Sequence, residues 1–266
     1  MTHSTDPPAV ADRIARAFAT HGKRAALMPY LMGGYPDLDA SRAAGVACAD
    51  AGADLVELGV PFSDPLADGP VIHEAASRAL AAGATVAGVL AVCAALSERL
   101  PVVLMAYANA VLVHGAGAFA ARAAGAGAAG LIVPDLPHDE AGELRSACDA
   151  AGIALVPLVA PNTPPERLGA IGADARGFVY TVSLAGTTGE RAELPSDLPA
   201  AVARVRAATA APVAVGFGIS TGEQARAVGE LADGVIVGSR VVRAAGEGGA
   251  PAVRRLVGEL AEALAV

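Results

Sequence analysis

The stretch Leu55-Val-Glu-Leu-Gly-Val-Pro-Phe-Ser-Asp-Pro-Leu-Ala-Asp-Gly-Pro70 sets an apolar, strand-like run with a glutamate at its centre ahead of a proline-rich loop carrying two aspartates. Strand side chains alternate between faces, so Val56, Leu58 and Val60 share one face and Leu55, Glu57 and Gly59 share the other. The all-aliphatic face can pack on helices. The face with the glutamate needs a setting where a carboxyl has a use, such as the inside of a closed sheet near its mouth.

The rest of the chain repeats this pattern. Strand-like runs occur at 27–34 (LMPYLMGG), 54–60 (DLVELGV), 101–107 (PVVLMAY), 130–135 (GLIVPD), 153–160 (IALVPLVA), 177–183 (GFVYTVS), 212–218 (PVAVGFG) and 233–239 (DGVIVGS). Each is short and continuously apolar, as strands covered on both faces are. Alanine-rich helical stretches separate them, among them Leu38–Ala51, Thr85–Arg99, Asp139–Ala151, Pro164–Ile171, Leu198–Ala208 and Thr221–Leu231. This alternation predicts parallel strands with right-handed crossovers. Eight units without a linker or a composition break predict one (β/α)8 TIM barrel over residues 1–266, with an extra N-terminal helix and a phosphate-site helix after the eighth strand. An open doubly wound sheet is the alternative, but its first turn should read GxGxxG, and YLMGGYPDLDAS does not.

Composition narrows the function. The 266 residues are 54% hydrophobic, enough for a full core, and carry a net charge of −8 with no basic stripe, which argues against nucleic acid and anionic membranes as partners. Cys48, Cys93 and Cys148 form no CxxC and suit core positions in a reducing cytoplasm. The first 22 residues lack a basic start followed by an apolar run, so they do not read as a signal peptide. Ala79–Leu96 carries no charge, but Gly83, Gly88 and a Thr85 N-cap mark it as a buried helix rather than a membrane span. The five histidines show neither HxH nor HExxH spacing, so no metal site is expected. Lys23, the only lysine, precedes the first strand, on the wrong side of the barrel for a Schiff base.

Carboxylate acid–base chemistry is what these exclusions leave. Barrel chemistry sits on the loops that follow the strands. Glu57 would lie high in the interior, partly desolvated and with its pKa raised, as suits a group that both gives and takes a proton. The structural alternative is a glutamate paired with arginine or backbone amides, and no strand run supplies an Arg or Lys. Asp64 reads as an Asx-turn residue of SDP, and Asp68 as a turn residue or a second acid–base group. VGFGIS, VGSR and GTTG place glycines after strands seven, eight and six, where backbone amides and a helix N-terminus cradle a phosphate or simply make tight turns. Tyr30, Met105, Ile132, Leu158, Tyr180 and Phe217 are candidates for an apolar pocket or for ordinary core.

ELGVPFSDPLADGPVI, LMAYAN, GFVYTVS with GTTG, and GFGIS together resemble the tryptophan synthase alpha chain family, in the same order and at fitting spacings, from about Leu27 to the C-terminal helix. The resemblance implies a barrel that cleaves indole-3-glycerol phosphate to indole and glyceraldehyde 3-phosphate by a retro-aldol reaction, without metal or Schiff base. It implies that Glu57 is the acid–base group at indole C3 and the glycerol hydroxyl, and that Asp68 serves the indole N–H. Tyr180, Tyr30, Ile72 and Phe217 match the pocket walls, and Thr188 matches a loop residue that contacts the aspartate. Gly189, Gly218, Gly238 and Ser239 match phosphate binders. The family works with a beta chain that holds pyridoxal phosphate, in an α2β2 assembly, so no cofactor is expected in this chain. Pro61, Asp64, Asn109 and Asp135 match the loops that face this partner, which gives Asp64 an interface role beside the Asx-turn reading.

The chain departs from some members at Leu184, where they carry arginine, and at Tyr30 and Met32, where others carry Phe and Thr. A stand-alone lyase releasing free indole, a non-catalytic barrel that activates a partner, and another phosphosugar aldolase or isomerase are the competing functions. Intact Glu57, Asp68 and phosphate loops weigh against the second, and the absent interior lysine and metal ligands against the third.

Overall fold

A computed structural model of the chain describes residues 12–182, 194–216 and 218–266. The elements in chain order are α1 (Asp12–Thr20), β1 (Ala26–Met32), α2 (Leu38–Asp50), β2 (Val56–Gly59), α3 (Pro70–Ala81), α4 (Val86–Ser97), β3 (Val102–Met105), α5 (Ala108–Leu112), α6 (Ala116–Gly125), β4 (Ala128–Ile132), α7 (Gly142–Ala151), β5 (Ala154–Leu155), β6 (Leu158–Val159), α8 (Pro165–Asp174), β7 (Val179–Val182), α9 (Leu198–Ala208), β8 (Val213–Gly216), α10 (Gly222–Gly229), β9 (Gly234–Val237) and α11 (Ser239–Ala263). A 3-10 turn, His138–Glu140, precedes α7.

The strands form one sheet in the order β5-β4-β3-β2-β1-β9-β8-β7-β6, and every pairing is parallel. The two edges, β5 and β6, are consecutive pieces of the fifth run, so the sheet closes on itself into the expected barrel. That run is not the continuous strand that the sequence predicts. It breaks at Val156-Pro157, because a proline has no N–H to give to a neighbouring strand. Both sides of the break stay attached: Val156 N donates to Leu131 O at 2.9 Å, and Tyr180 N donates to Pro157 O at 2.9 Å.

The two-residue period sorts the core into two layers. Met28, Leu55, Val103, Ala154, Val156, Phe178 and Tyr180 fill the barrel, while Leu27, Val56, Leu58, Leu104, Leu131 and Val215 meet the helices. Helix α1 closes the floor. Ile14 is buried within the inner layer, and Phe18 meets Phe178 at 5.6 Å.

Two aspartates just ahead of strands tie the floor together. Asp54 accepts from Leu27 N at 2.7 Å and from Lys23 Nζ at 2.9 Å. Asp233 accepts from Val213 N at 2.8 Å and from Arg206 at 2.8 Å. The lone lysine is thus engaged at the end of the barrel opposite the mouth.

The uncharged stretch Ala79–Leu96 is not one helix. It is the end of α3 and most of α4, bent by 108°, with Gly83 at φ +86 in the turn and the Thr85 hydroxyl accepting from Gly88 N at 3.1 Å. Among the described residues no single helix is long and apolar enough to cross a membrane. Helix α11 begins directly after β9, as expected of a phosphate-site helix, and is broken at Gly249 (φ 58) ahead of Pro251.

Candidate active site

Glu57 lies on the inner face of β2, between Tyr30 of β1 and Val103 of β3 in register. It is fully buried, and neither carboxyl oxygen has a hydrogen-bond partner among the described residues. An ionised carboxylate there would lose its hydration with nothing in return. Burial accordingly pushes its pKa up from 4.5 to about 8.

Gly59, two residues on, makes room above Glu57. A Cβ at Gly59 would stand 2.0 Å from the Tyr30 hydroxyl. Across the barrel, a Cβ at Gly216 would stand 2.7 Å from the Tyr180 hydroxyl. Each tyrosine therefore leans over a glycine of the next strand, two residues beyond its own register partner, Glu57 or Ala214. Burial raises both phenols well above their ordinary value, and the charges of Asp68 and Glu57 add to this at each. Both hydroxyls thus lie within electrostatic reach of both carboxyls.

Asp68 ends the loop after β2, immediately before the N-terminus of α3. Burial raises its pKa, against the opposing effects of a hydrogen bond from the Tyr107 hydroxyl and of nearby His73. Asp68 faces a cavity of about 590 Å³ whose walls include Met105, Leu158, Tyr180, Gly218 and Ser239. Glu57, Tyr30 and Ile72 stand behind the wall. Tyr30 and Ile72 are nearly buried and cluster with Met105. Ile132 belongs to the inner core and is fully buried.

Gly218 (φ 67), Gly238 and Ser239 all line the cavity. Gly238 caps α11 and Ser239 is its first residue, so the positive end of that helix opens on the cavity as an anion site requires. Thr188, Gly189, Leu184 and Phe217 lie outside the described residues.

The residues matched to a partner face occupy three successive loops. Pro61 is buried at the start of the loop after β2, and exposed Asp64 accepts from the Ser63 hydroxyl. Asn109 is exposed on α5, and exposed Asp135 accepts from Ala108 N at 2.8 Å, capping that helix. The same loops expose Leu66 (84%), Leu112 (51%) and Val113 (72%).

Two features were not foreseen. Tyr107, inside LMAYAN, reaches Asp68, and its position at a strand end was the signal available. The cavity also runs past the broken fifth strand to Arg145, His138 and Asp174, where Arg145 pairs with Asp174 at 3.0 Å and His138 Nε2 lies 3.4 Å from the same carboxylate. No local pattern marks those three residues as neighbours. The cysteines are buried, with thiols pushed up to about 12 by burial, which leaves them inert core residues.

Comparison with known proteins agrees with this geometry over nearly the whole chain. The sequence model described as "Tryptophan synthase alpha chain" matches residues 17–262. The tryptophan synthase alpha chain of Roseiflexus castenholzii is 51% identical over 236 residues, 88% of this chain and 90% of that protein. That of Gloeobacter violaceus is 49% identical over 236 residues, 87% of this chain and 86% of that protein. Among solved structures, Mycobacterium tuberculosis tryptophan synthase superposes with a TM-score of 0.90 at 42% identity, covering 98% of this chain and 100% of that one. The alpha subunit of the Legionella pneumophila enzyme gives 0.87 at 33% identity, covering 97% and 98%. With barrel, buried glutamate, loop aspartate and a helix N-terminus at the cavity in place, the chain belongs to the tryptophan synthase alpha chain family.

Proposed function

We propose that this chain cleaves indole-3-glycerol phosphate to indole and glyceraldehyde 3-phosphate by a retro-aldol reaction run by Glu57 and Asp68. The observation that carries the reading is Glu57 itself, a buried carboxyl without a hydrogen-bond partner among the described residues, its pKa pushed up to about 8 by burial, beside a cavity that Asp68 faces. Two carboxyls in such unlike settings begin the cycle in opposite protonation states.

Protonated Glu57 gives its proton to indole C3 while Asp68 takes the N–H proton, leaving a neutral indolenine with a C2=N double bond. Ionised Glu57 then takes the glycerol hydroxyl proton. The C–C bond breaks as the new aldehyde forms, and its electrons make the C2=C3 double bond of indole. The electrons of the C2=N bond return to nitrogen, which recovers its proton from Asp68. Because Glu57 stands behind the cavity wall, its side chain or the covering Tyr30 must turn for it to meet the substrate. Gly218, Gly238 and Ser239 hold the phosphate, with Gly189 added from its loop. Tyr180, Tyr30, Ile72 and Phe217 bound the indole, and Thr188 steadies Asp68.

No metal or Schiff base takes part in this scheme. The only lysine is paired with Asp54 at the barrel floor, which supports the second point. We assign no cofactor to this chain. Pyridoxal phosphate would belong to the beta chain, met in a cytoplasmic α2β2 assembly through the loops of Pro61, Asp64, Asn109 and Asp135. The exposed Leu66, Leu112 and Val113 on those loops support a partner face there.

The test is indole release from indole-3-glycerol phosphate by the full chain, with and without a beta chain, for the wild type, Glu57→Gln and Asp68→Asn. Cleavage that rises with the beta chain and falls at least 100-fold in each variant is the expected result. Near wild-type turnover in either variant sinks that residue's role. Full turnover without the beta chain makes the chain a stand-alone lyase.

A further inference from the structure

Asp68 sits on a proline- and glycine-bracketed loop, and a base on a loop must be aimed to be useful. The aiming group is visible. Tyr107 is 4% exposed, and its hydroxyl accepts from Ala67 N at 3.1 Å while donating to the Asp68 carboxyl. One oxygen thus grips two consecutive residues of the loop. The phenol ring stacks on Phe62, with centroids 5.2 Å apart and planes at 22°, so the start of the same loop backs the ring. Tyr107 caps α5, and the next residue is held in turn by Asp135 through Ala108 N. The ring is therefore fixed from its face, its hydroxyl end and its backbone.

Building on the role assigned to Asp68, we propose that Tyr107 is a positioning residue: held between Phe62 and the Ala67 amide, its hydroxyl sets the direction and protonation of the Asp68 carboxyl. A donated hydrogen bond favours the ionised carboxylate, the form in which Asp68 must begin the cycle. The other titratable groups facing Asp68 are His73 on α3, whose charge also favours ionisation, Tyr30 and Tyr180, whose phenols feel its charge, and Glu57, which acts on the same two phenols. Asp135 faces Tyr107 from the loop after β4.

The test compares the free full-length protein with Tyr107→Phe, which keeps the ring on Phe62 and removes one oxygen. Carbon-13 NMR of labelled aspartate carboxyls follows Asp68, its resonance assigned by its absence in Asp68→Asn. The Asp68 titration midpoint is expected to rise by about one pH unit. The acid limb of kcat/KM moves with it, and kcat falls about tenfold with KM within about twofold. An unmoved midpoint overturns the proposal whatever the activity does. If Tyr107→Phe does not fold, Phe62→Leu, which loosens the same phenol, is read by the same titration and the same criterion. The titration needs no substrate, so it stands apart from the cleavage assay of Asp68→Asn, which tests the reaction itself.

Discussion

The hydroxyl of Tyr30 fills the space that a side chain at Gly59 would take, 2.0 Å from where its Cβ would be. This contact keeps Tyr30 over the inner face of β2, directly above Glu57. Gly59→Ala should force the phenol aside and destabilise the fold by about 1–3 kcal/mol. Tyr30→Phe should recover only part of that loss, since the ring carbon Cζ would still stand 2.7 Å from the new methyl. A denaturant double-mutant cycle measures the coupling, and strict additivity would contradict the contact.

Glu57 imposes a pH dependence on folding. Its pKa is raised from 4.5 to about 8, so its contribution to stability is fully present below about 4.5 and is lost as the pH rises through about 8. Glu57→Gln removes this dependence. Urea unfolding between pH 5 and pH 8 should show the variant gaining about 2–4 kcal/mol on the wild type. A constant difference across that range would place Glu57 in a more polar setting than the one described.

The same carboxyls predict a bell in kcat/KM. Glu57 must start protonated and Asp68 ionised, so activity should fall above about pH 8 as Glu57 ionises. On the acid side it should fall through the raised pKa of Asp68. A basic limb that survives unchanged in a residually active Glu57 variant would assign that limb to another group.

Ser239 begins the helix that faces the cavity, so a negative charge there should repel a phosphate. Ser239→Asp is expected to raise KM for the phosphorylated substrate more than tenfold, with a smaller change in kcat. Steady-state kinetics decides this, and an unchanged KM would move the phosphate elsewhere.

Asp54 ties Lys23 to the Leu27 amide at the opposite end of the barrel. Asp54→Ala removes the acceptor of the Leu27 amide and the counter-charge of Lys23, whose Nζ keeps only the Gly52 carbonyl at 2.9 Å, and should cost about 2–4 kcal/mol by thermal or urea unfolding. Cleavage kinetics of the folded fraction should stay within about twofold of wild type, because the site lies at the other end of the strands.

Much of this was legible in the sequence because it is local. Strand periodicity put Glu57 on the inner face and Val56 and Leu58 on the outer, and both lie there. Glycine at Gly238 followed by Ser239 read as a helix opening, and α11 starts there. The break in the fifth strand also had a local signal, Pro157 in the middle of an apolar run, but a continuous run outweighed it. The Thr85 N-cap reads as a helix start, and α4 begins there, although the lack of charge across Ala79–Leu96 lets the whole stretch pass for one helix. Tyr107 meeting Asp68, and Arg145 with His138 meeting Asp174, are contacts between separate loops or helices that no period encodes. The substrate came from the family resemblance, since barrel, carboxyls and glycines fit many phosphorylated compounds.

The break at Val156-Pro157 has a mechanical consequence. Eight of the barrel's joints are ladders between neighbouring strands, while β5 and β6 are joined only by the chain itself, as a clasp joins the ends of a hoop. A hoop yields first at its clasp. Small changes of girth would concentrate there, where Val156 and Pro157 line the cavity and each is held by one hydrogen bond to a neighbouring run, leaving the ladder that carries Glu57 and Tyr30 undisturbed.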